Sequence, residues 1–171
     1  LISDAGTPLL SDPGRILVNE CVKNRINVIP VPGTSSITSA VSVSGFNDQF
    51  LFHGFLPKKE NELKTLLSHL SQNEYTQVFF IPSKKINFYI DFFKRYFSGR
   101  KILIAKEITK IHETYLREDV DDLKTFKKPI KGELTIVISE MQVIKNVSQK
   151  LSESDKDIIK KTINKLSVKE I

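Results

Sequence analysis

Near the start of the chain, the run Ser3-Asp4-Ala5-Gly6-Thr7-Pro8-Leu9-Leu10-Ser11-Asp12-Pro13-Gly14 excludes both a helix interior and a strand. Gly and Pro break either element, while Asp and Ser favour turns and caps. The stretch is therefore a shaped loop. It leaves an apolar pair, Leu1-Ile2, that reads as the end of a buried strand, and it enters residues 15–22 with helix-entry chemistry. Ser11 or Asp12 serves as cap and Pro13 as the first helical residue. Strand-to-helix connections of this kind lie at the carboxyl ends of strands in open α/β sheets, where ligands bind. Glycines admit close approach of a ligand to the backbone, and exposed helix N–H groups supply donors.

Taken in order, the chain alternates helical and strand patterns. Residues 15–24 read as a helix with Ile16, Leu17, Cys21 and Val22 inward, and residues 27–32 as a short strand whose prolines suit its end. Gly33-Thr34-Ser35-Ser36 makes a second small-residue turn before a helix over 37–44 that stops at Gly45. Both polar turns are thus expected to follow strands, precede helices and emerge on one sheet edge, sharing a pocket. Residues 46–49 read as a linker and 51–55 open a second unit, in which further strands are expected at 77–81, 101–105, 114–117 and 132–139. Helices are expected at 58–70, with Leu63, Leu66, Leu67 and Leu70 on one face, at 119–126, and at 152–166. Another starts at a Ser83 cap and carries an aromatic stripe, Ile86, Tyr89, Ile90, Phe93, Tyr96 and Phe97, ending at Gly99. Helical spacing makes that stripe core.

Charge is unevenly distributed. The first 57 residues carry a net charge of −1 and the remainder +7, giving +6 overall. A basic second part favours a polyanionic partner or simply a solvated lysine-rich face. No apolar run approaches the roughly 20 residues that span a bilayer, so a soluble, non-membrane protein is expected. The single cysteine, Cys21, rules out an internal disulfide and a cysteine-based zinc site, and no metal is expected.

The run at residues 3–14 resembles throughout the signature of the ribosomal RNA small subunit methyltransferase I family, within the tetrapyrrole methylase-like superfamily. Val31-Pro32-Gly33-Thr34-Ser35-Ser36 is similar to that family's Pro-Gly-x-Ser segment. His53-Gly54-Phe55-Leu56-Pro57-Lys58-Lys59 resembles its Gly-Phe-Leu-Pro-(Arg/Lys)-Lys motif. Ala105-Lys106-Glu107-Ile108-Thr109-Lys110-Ile111-His112-Glu113 and Lys131-Gly132-Glu133-Leu134 resemble two further family segments, so the likeness runs in order over about residues 1–140. One departure stands out: where members carry a Tyr-Glu-Ser-Pro-His-Arg-like run, this chain has Phe80-Ile81-Pro82-Ser83-Lys84-Lys85. The resemblance does not carry over any role of the missing Glu and His.

The resemblance implies an α/β protein with two α/β domains of the tetrapyrrole methylase-like (class III methyltransferase) fold and a cofactor crevice between them. Members begin further upstream and continue into a helix-turn-helix-like domain, so the chain is expected to be a fragment with an incomplete N-terminal domain. On this reading residues 1–49 are the end of the first domain, 50–141 the second, and 142–171 a linker with the start of the helical domain. The implied activity is methyl transfer from S-adenosylmethionine to a ribose 2′-oxygen of a cytidine in the decoding region of 16S ribosomal RNA. The single cysteine fits a cytoplasmic location, and a truncated sheet is expected to expose an unpaired edge that invites a homodimer. Asp4, Ala5, Gly6, Thr7, Pro32, Gly33, Ser35 and Ser36 match cofactor positions. Lys58, Lys59, Lys84, Lys85 and Lys110 are candidate RNA contacts. Glu107, Lys106 and His112 are candidates for the group that shares the hydroxyl proton, with structural or RNA-positioning roles as the alternatives. A tetrapyrrole or cobalamin-precursor methylase is a rival reading of the same fold, and a non-catalytic RNA-binding fragment a rival of another class.

Overall fold

The computed structural model describes residues 1–3, 6–141, 156, 157 and 160. Its centre is a five-stranded mixed sheet in the order β1-β2-β5-β3-β4, built from β1 (Phe50–Phe55), β2 (Thr76–Pro82), β3 (Lys101–Lys106), β4 (Thr114–Asp119) and β5 (Glu133–Ile138). β1 and β2 are parallel, and β5 is antiparallel to both β2 and β3. Strands β1, β2 and β3 therefore all run one way, and their carboxyl ends share an edge. The central strands β2, β3 and β5 read as continuous apolar runs because each is covered on both faces.

One face is closed by α3 (Glu60–Ser71) and α4 (Ile86–Tyr96). α4 buries Ile86, Tyr89, Ile90, Phe92 and Phe93 against Phe79, Ile81, Ile102 and Ile136 of the sheet. Burial of such side chains stabilises by about 1.5–3 kcal/mol each, so this layer dominates the core. The expected aromatic stripe is core, with Tyr96 at its margin. α3 buries Leu63, Leu67 and Leu70, with Leu66 partly covered. At the far end of this layer the buried Arg100 donates to the Ser71, Asn73 and Ser139 carbonyls and lies 5.2 Å from the Phe97 ring centre. Burial pushes its guanidinium pKa down, with the Glu140 charge opposing.

The other face is covered by α2 (Ser36–Ser42), whose Ile37 and Ala40 pack on Val78, Leu103, Ala105 and Val137. Arg117 of β4 donates to the Val43 carbonyl just beyond α2 at 2.6 Å, and the Asn47 N–H donates to Glu140 at 3.1 Å. These bonds fasten the first stretch of chain to the sheet.

Several sequence expectations need correction. Residues 1–2 and 27–32 form no strand, and Ile2, Ile29 and Val31 are among the most exposed apolar side chains. A strand requires a neighbour about 4.8 Å away to take its N–H and C=O groups, and no described residue offers either stretch one. α1 (Arg15–Lys23) forms, yet buries none of its residues: Ile16 and Val22 face solvent rather than a core. Neither Ser11 nor Asp12 caps it, because Gly14 occupies the cap position and Asp12 instead accepts from the Ser3 hydroxyl. The helix expected at 119–126 is only a 3₁₀ turn, Val120–Asp122, and its Val120 and the following Leu123 are both buried in the core. The helix expected at 152–166 falls outside the described residues, except for 156, 157 and 160.

Candidate active site

A cavity of about 560 Å³ opens at the carboxyl edge of β1, β2 and β3. That volume lies within the range of small-molecule sites, and the location is where open α/β sheets bind ligands. Its floor comes from the sheet: Phe55 closes β1, Phe80, Ile81 and Pro82 close β2, Ala105 lies in β3, and Leu134 and Thr135 open β5. Two walls come from the polar turns, through Ser3, Gly6, Leu10, Ser11 and Asp12 on one side and Thr34, Ser35, Ser36 and Ser39 on the other. The two turns touch directly, since the Thr7 hydroxyl donates to the Thr34 carbonyl at 3.3 Å. They thus share one cavity although neither follows a strand.

The remaining wall is a pair of loops held by one carboxylate. Glu107 Oε1 accepts from the Glu133 N–H at 3.0 Å and from Lys110 Nζ at 3.2 Å, and Lys110 also reaches Glu133 Oε2 at 3.0 Å. The Glu133 backbone bond first, then Lys110, holds the Glu107 carboxyl pKa below its usual range. Glu133 and Glu107 in turn push the Lys110 ammonium pKa up. The Glu107 side chain lies across Gly132, where an added Cβ would collide with its carboxyl group. Gly132 has φ +97°, so glycine is required there for conformation as well as space. Within the loop, the Lys110 N–H donates to the Glu107 carbonyl at 2.9 Å, and Thr109 N–H donates to the Glu113 carboxylate.

Backbone strain gathers at this cavity. Ser11, Glu107 and Thr109 all line it and all adopt left-handed φ values of 63°, 51° and 67°. Such conformations cost on the order of 1–3 kcal/mol each and persist where surrounding structure imposes them.

Of the candidate residues read from the sequence, Gly6, Ser35, Ser36, Glu107 and Lys110 line the cavity. Thr7 joins the two turns through Thr34 without lining the cavity, Pro32 and Gly33 lie outside the lining, and Asp4 and Ala5 fall outside the described residues. Lys106 and the exposed His112 are also outside the lining, so the structure does not bring the three candidate proton-handling groups together. Lys110 is neutralised by two carboxylates and Lys59 by Glu62 at 3.1 Å. Lys58, Lys84 and Lys85 have no carboxylate within 4 Å among the described residues. All of these lysines follow the carboxyl ends of β1, β2 or β3, the sheet edge at which the cavity opens. Sequence reasoning missed Phe55 and Phe80 as cavity residues. A glycine inside a strand pattern, Gly54, was the available signal.

Among the described residues no group of three His, Cys, Asp or Glu side chains is placed to hold a metal ion. No described helix is long and apolar enough to cross a membrane.

The model of the tetrapyrrole (corrin/porphyrin) methylases matches residues 1–124. The chain belongs to the tetrapyrrole methylase family. A tetrapyrrole methylase relative from Thermotoga maritima, named ribosomal RNA small subunit methyltransferase I, is 40% identical over 143 residues, which is 81% of this chain and 64% of that protein. The chain spans between half and two thirds of the length of its curated relatives of that name. In shape it is similar to the methyltransferase CobJ, with a TM-score of 0.58 at 15% identity, covering 79% of this chain and 62% of that one. It is also similar to a uroporphyrin-III C-methyltransferase from Thermus thermophilus complexed with S-adenosylhomocysteine, with a TM-score of 0.51 at 13% identity, covering 79% and 63%. At those identities the likeness establishes the fold, which is that of the tetrapyrrole methylases.

Proposed function

We propose that this tetrapyrrole methylase acts in S-adenosylmethionine-dependent methylation of small-subunit ribosomal RNA, at the ribose 2′-oxygen of a cytidine in the decoding region. The observation that carries the reading is the cavity that Gly6, Ser35 and Ser36 line together with Glu107 and Gly132, at the sheet edge where basic residues follow three strands. The name shared by the curated relatives supports the RNA substrate, and the S-adenosylhomocysteine complex of a structural neighbour supports the cofactor.

The lining suits a nucleoside-sized, zwitterionic molecule: hydroxyls of Ser35, Ser36 and Ser39 on one wall, the Asp12 carboxylate on the other, apolar Ala105, Ile108 and Leu134 between. S-adenosylmethionine, when bound, supplies an electrophilic methyl group. The chain's own contribution is to align the acceptor oxygen with that methyl group, a positioning effect that can remove several kcal/mol from a barrier. Glu107 is already committed to Lys110 and the Glu133 N–H, so its part is to fix the wall; Lys106 and His112, at either side of that loop, remain the groups proposed to handle the ribose proton or a phosphate. Lys58, Lys84 and Lys85 are the proposed phosphate contacts. The same reading expects the protein in the cytoplasm, with domain divisions at 49/50 and 141/142, and as a homodimer, for which an unpaired sheet edge is the proposed seam.

Incubating the protein with small ribosomal subunits and methyl-labelled S-adenosylmethionine tests the proposal. Label is expected on a cytidine ribose of 16S ribosomal RNA. Label on a base, or on a tetrapyrrole acceptor in place of RNA, overturns it.

A further inference from the structure

We infer that Phe55, backed by Phe80, is a stacking platform for a nucleobase inside the cavity. The inference rests on the proposed function for the identity of its ligands. Its structural basis is a register shift in β1. Phe50 and Phe52 pack with Phe80 on the α2 face of the sheet, whereas His53 stacks on Phe79 on the opposite face, with ring centres 5.2 Å apart. Strict alternation would send Phe55 after His53, away from the cavity. The pairing instead passes from Phe52 opposite Val78 to Phe55 opposite Phe80, three residues on β1 against two on β2. This is a β-bulge, and bulges re-aim side chains beside active sites.

Gly54 makes the bulge possible. It has φ +69°, and a Cβ there would lie 2.9 Å from the Ser11 hydroxyl oxygen of the first polar turn. The outcome is that Phe55 returns to the cavity face, where it is 58% exposed, with its ring centre 5.5 Å from that of Phe80. Phe80 is braced in turn by Phe52, edge-on at 4.9 Å. An aromatic ring held from behind and open in front, in a cavity whose lining mixes apolar side chains such as Ala105, Ile108 and Leu134 with hydroxyls and carboxylates, offers a planar π-face. Every nucleobase has one to match. The base comes either from the adenosyl group of the cofactor or from the RNA.

The chain contains no tryptophan, so Phe55→Trp creates a lone fluorescent reporter at the platform. Titrate it separately with S-adenosylhomocysteine and with a short cytidine-containing RNA. Saturable quenching by the first assigns the platform to adenine, and by the second to an RNA base; both support the inference. Calorimetric titration of Phe55→Ala is expected to show affinity for the quenching ligand lowered roughly 5- to 100-fold, with Phe55→Leu recovering only part of the loss. Because Phe55 is largely exposed, circular dichroism should show these variants folded, and calorimetry on Phe55→Leu suffices if the tryptophan variant is not. Unchanged affinity for both ligands in Phe55→Ala, with the unaltered protein binding either, overturns the platform and leaves the proposed function standing. Failure of the unaltered protein to bind either ligand overturns both.

Discussion

Helices α1 and α4 look alike in sequence, each carrying apolar residues at helical spacing, and they meet opposite fates. α4 buries five side chains under the sheet, while α1 buries none and leaves Ile16 80% exposed. The contrast extends to the strands: residues 101–106 pair on both sides as β3, whereas the equally apolar 27–32 pair with nothing described. Periodicity reports which face of an element is fit for burial. It does not report whether a partner is present to bury it.

The sharpest test of that contrast is a pair of truncations. Phe93→Ala in α4 should cost about 3–5 kcal/mol, because the ring is fully buried and leaves a cavity. Ile16→Ala in α1 should cost under about 0.5 kcal/mol. Urea unfolding followed by circular dichroism measures both, and equal losses would break the comparison.

A middle-sized effect belongs to the cavity wall. Gly132→Ala forces a side chain onto a left-handed backbone and into Glu107, and should cost about 1–3 kcal/mol. In a Glu107→Ala background the collision is gone and only the conformational part remains, so the two substitutions should be non-additive in thermal unfolding. Strict additivity would mean that Glu107 does not lie across Gly132 in solution.

The smallest effect is a pH dependence. A carboxyl whose pKa is depressed by folding binds fewer protons in the native state than in the unfolded chain. The stability that Glu107 contributes is therefore complete above its ordinary value of 4.5 and is lost as pH falls through its lower folded value. Wild type and Glu107→Gln should differ in urea midpoint at neutral pH and converge as the pH falls below that folded value. A gap that widens on acidification would contradict the bonds that Glu107 accepts from the Glu133 N–H and from Lys110.

Much of the sheet and its helical cover was legible, because β2, β3 and β5 are predominantly apolar and α3 and α4 have clean helical stripes. The site was legible in part. Gly- and Ser-rich turns announced a ligand cavity, but the expectation that strands deliver them failed. They meet instead through Thr7 and Thr34 and through the packing of α2 on the sheet. Glu107 was visible as a chemically interesting carboxylate. That it braces a glycine was not, since Gly132 lies 25 residues away in the chain.

By itself the sequence determined the family, the faces fit for burial and the two polar turns, since these depend on local chemistry: glycine and proline in loops, apolar spacing in elements. Tertiary structure alone decided which apolar faces find a partner, how Phe55 turns back into the cavity and what holds Glu107. Those outcomes depend on strand register and on contacts between residues far apart along the chain, which no local pattern encodes.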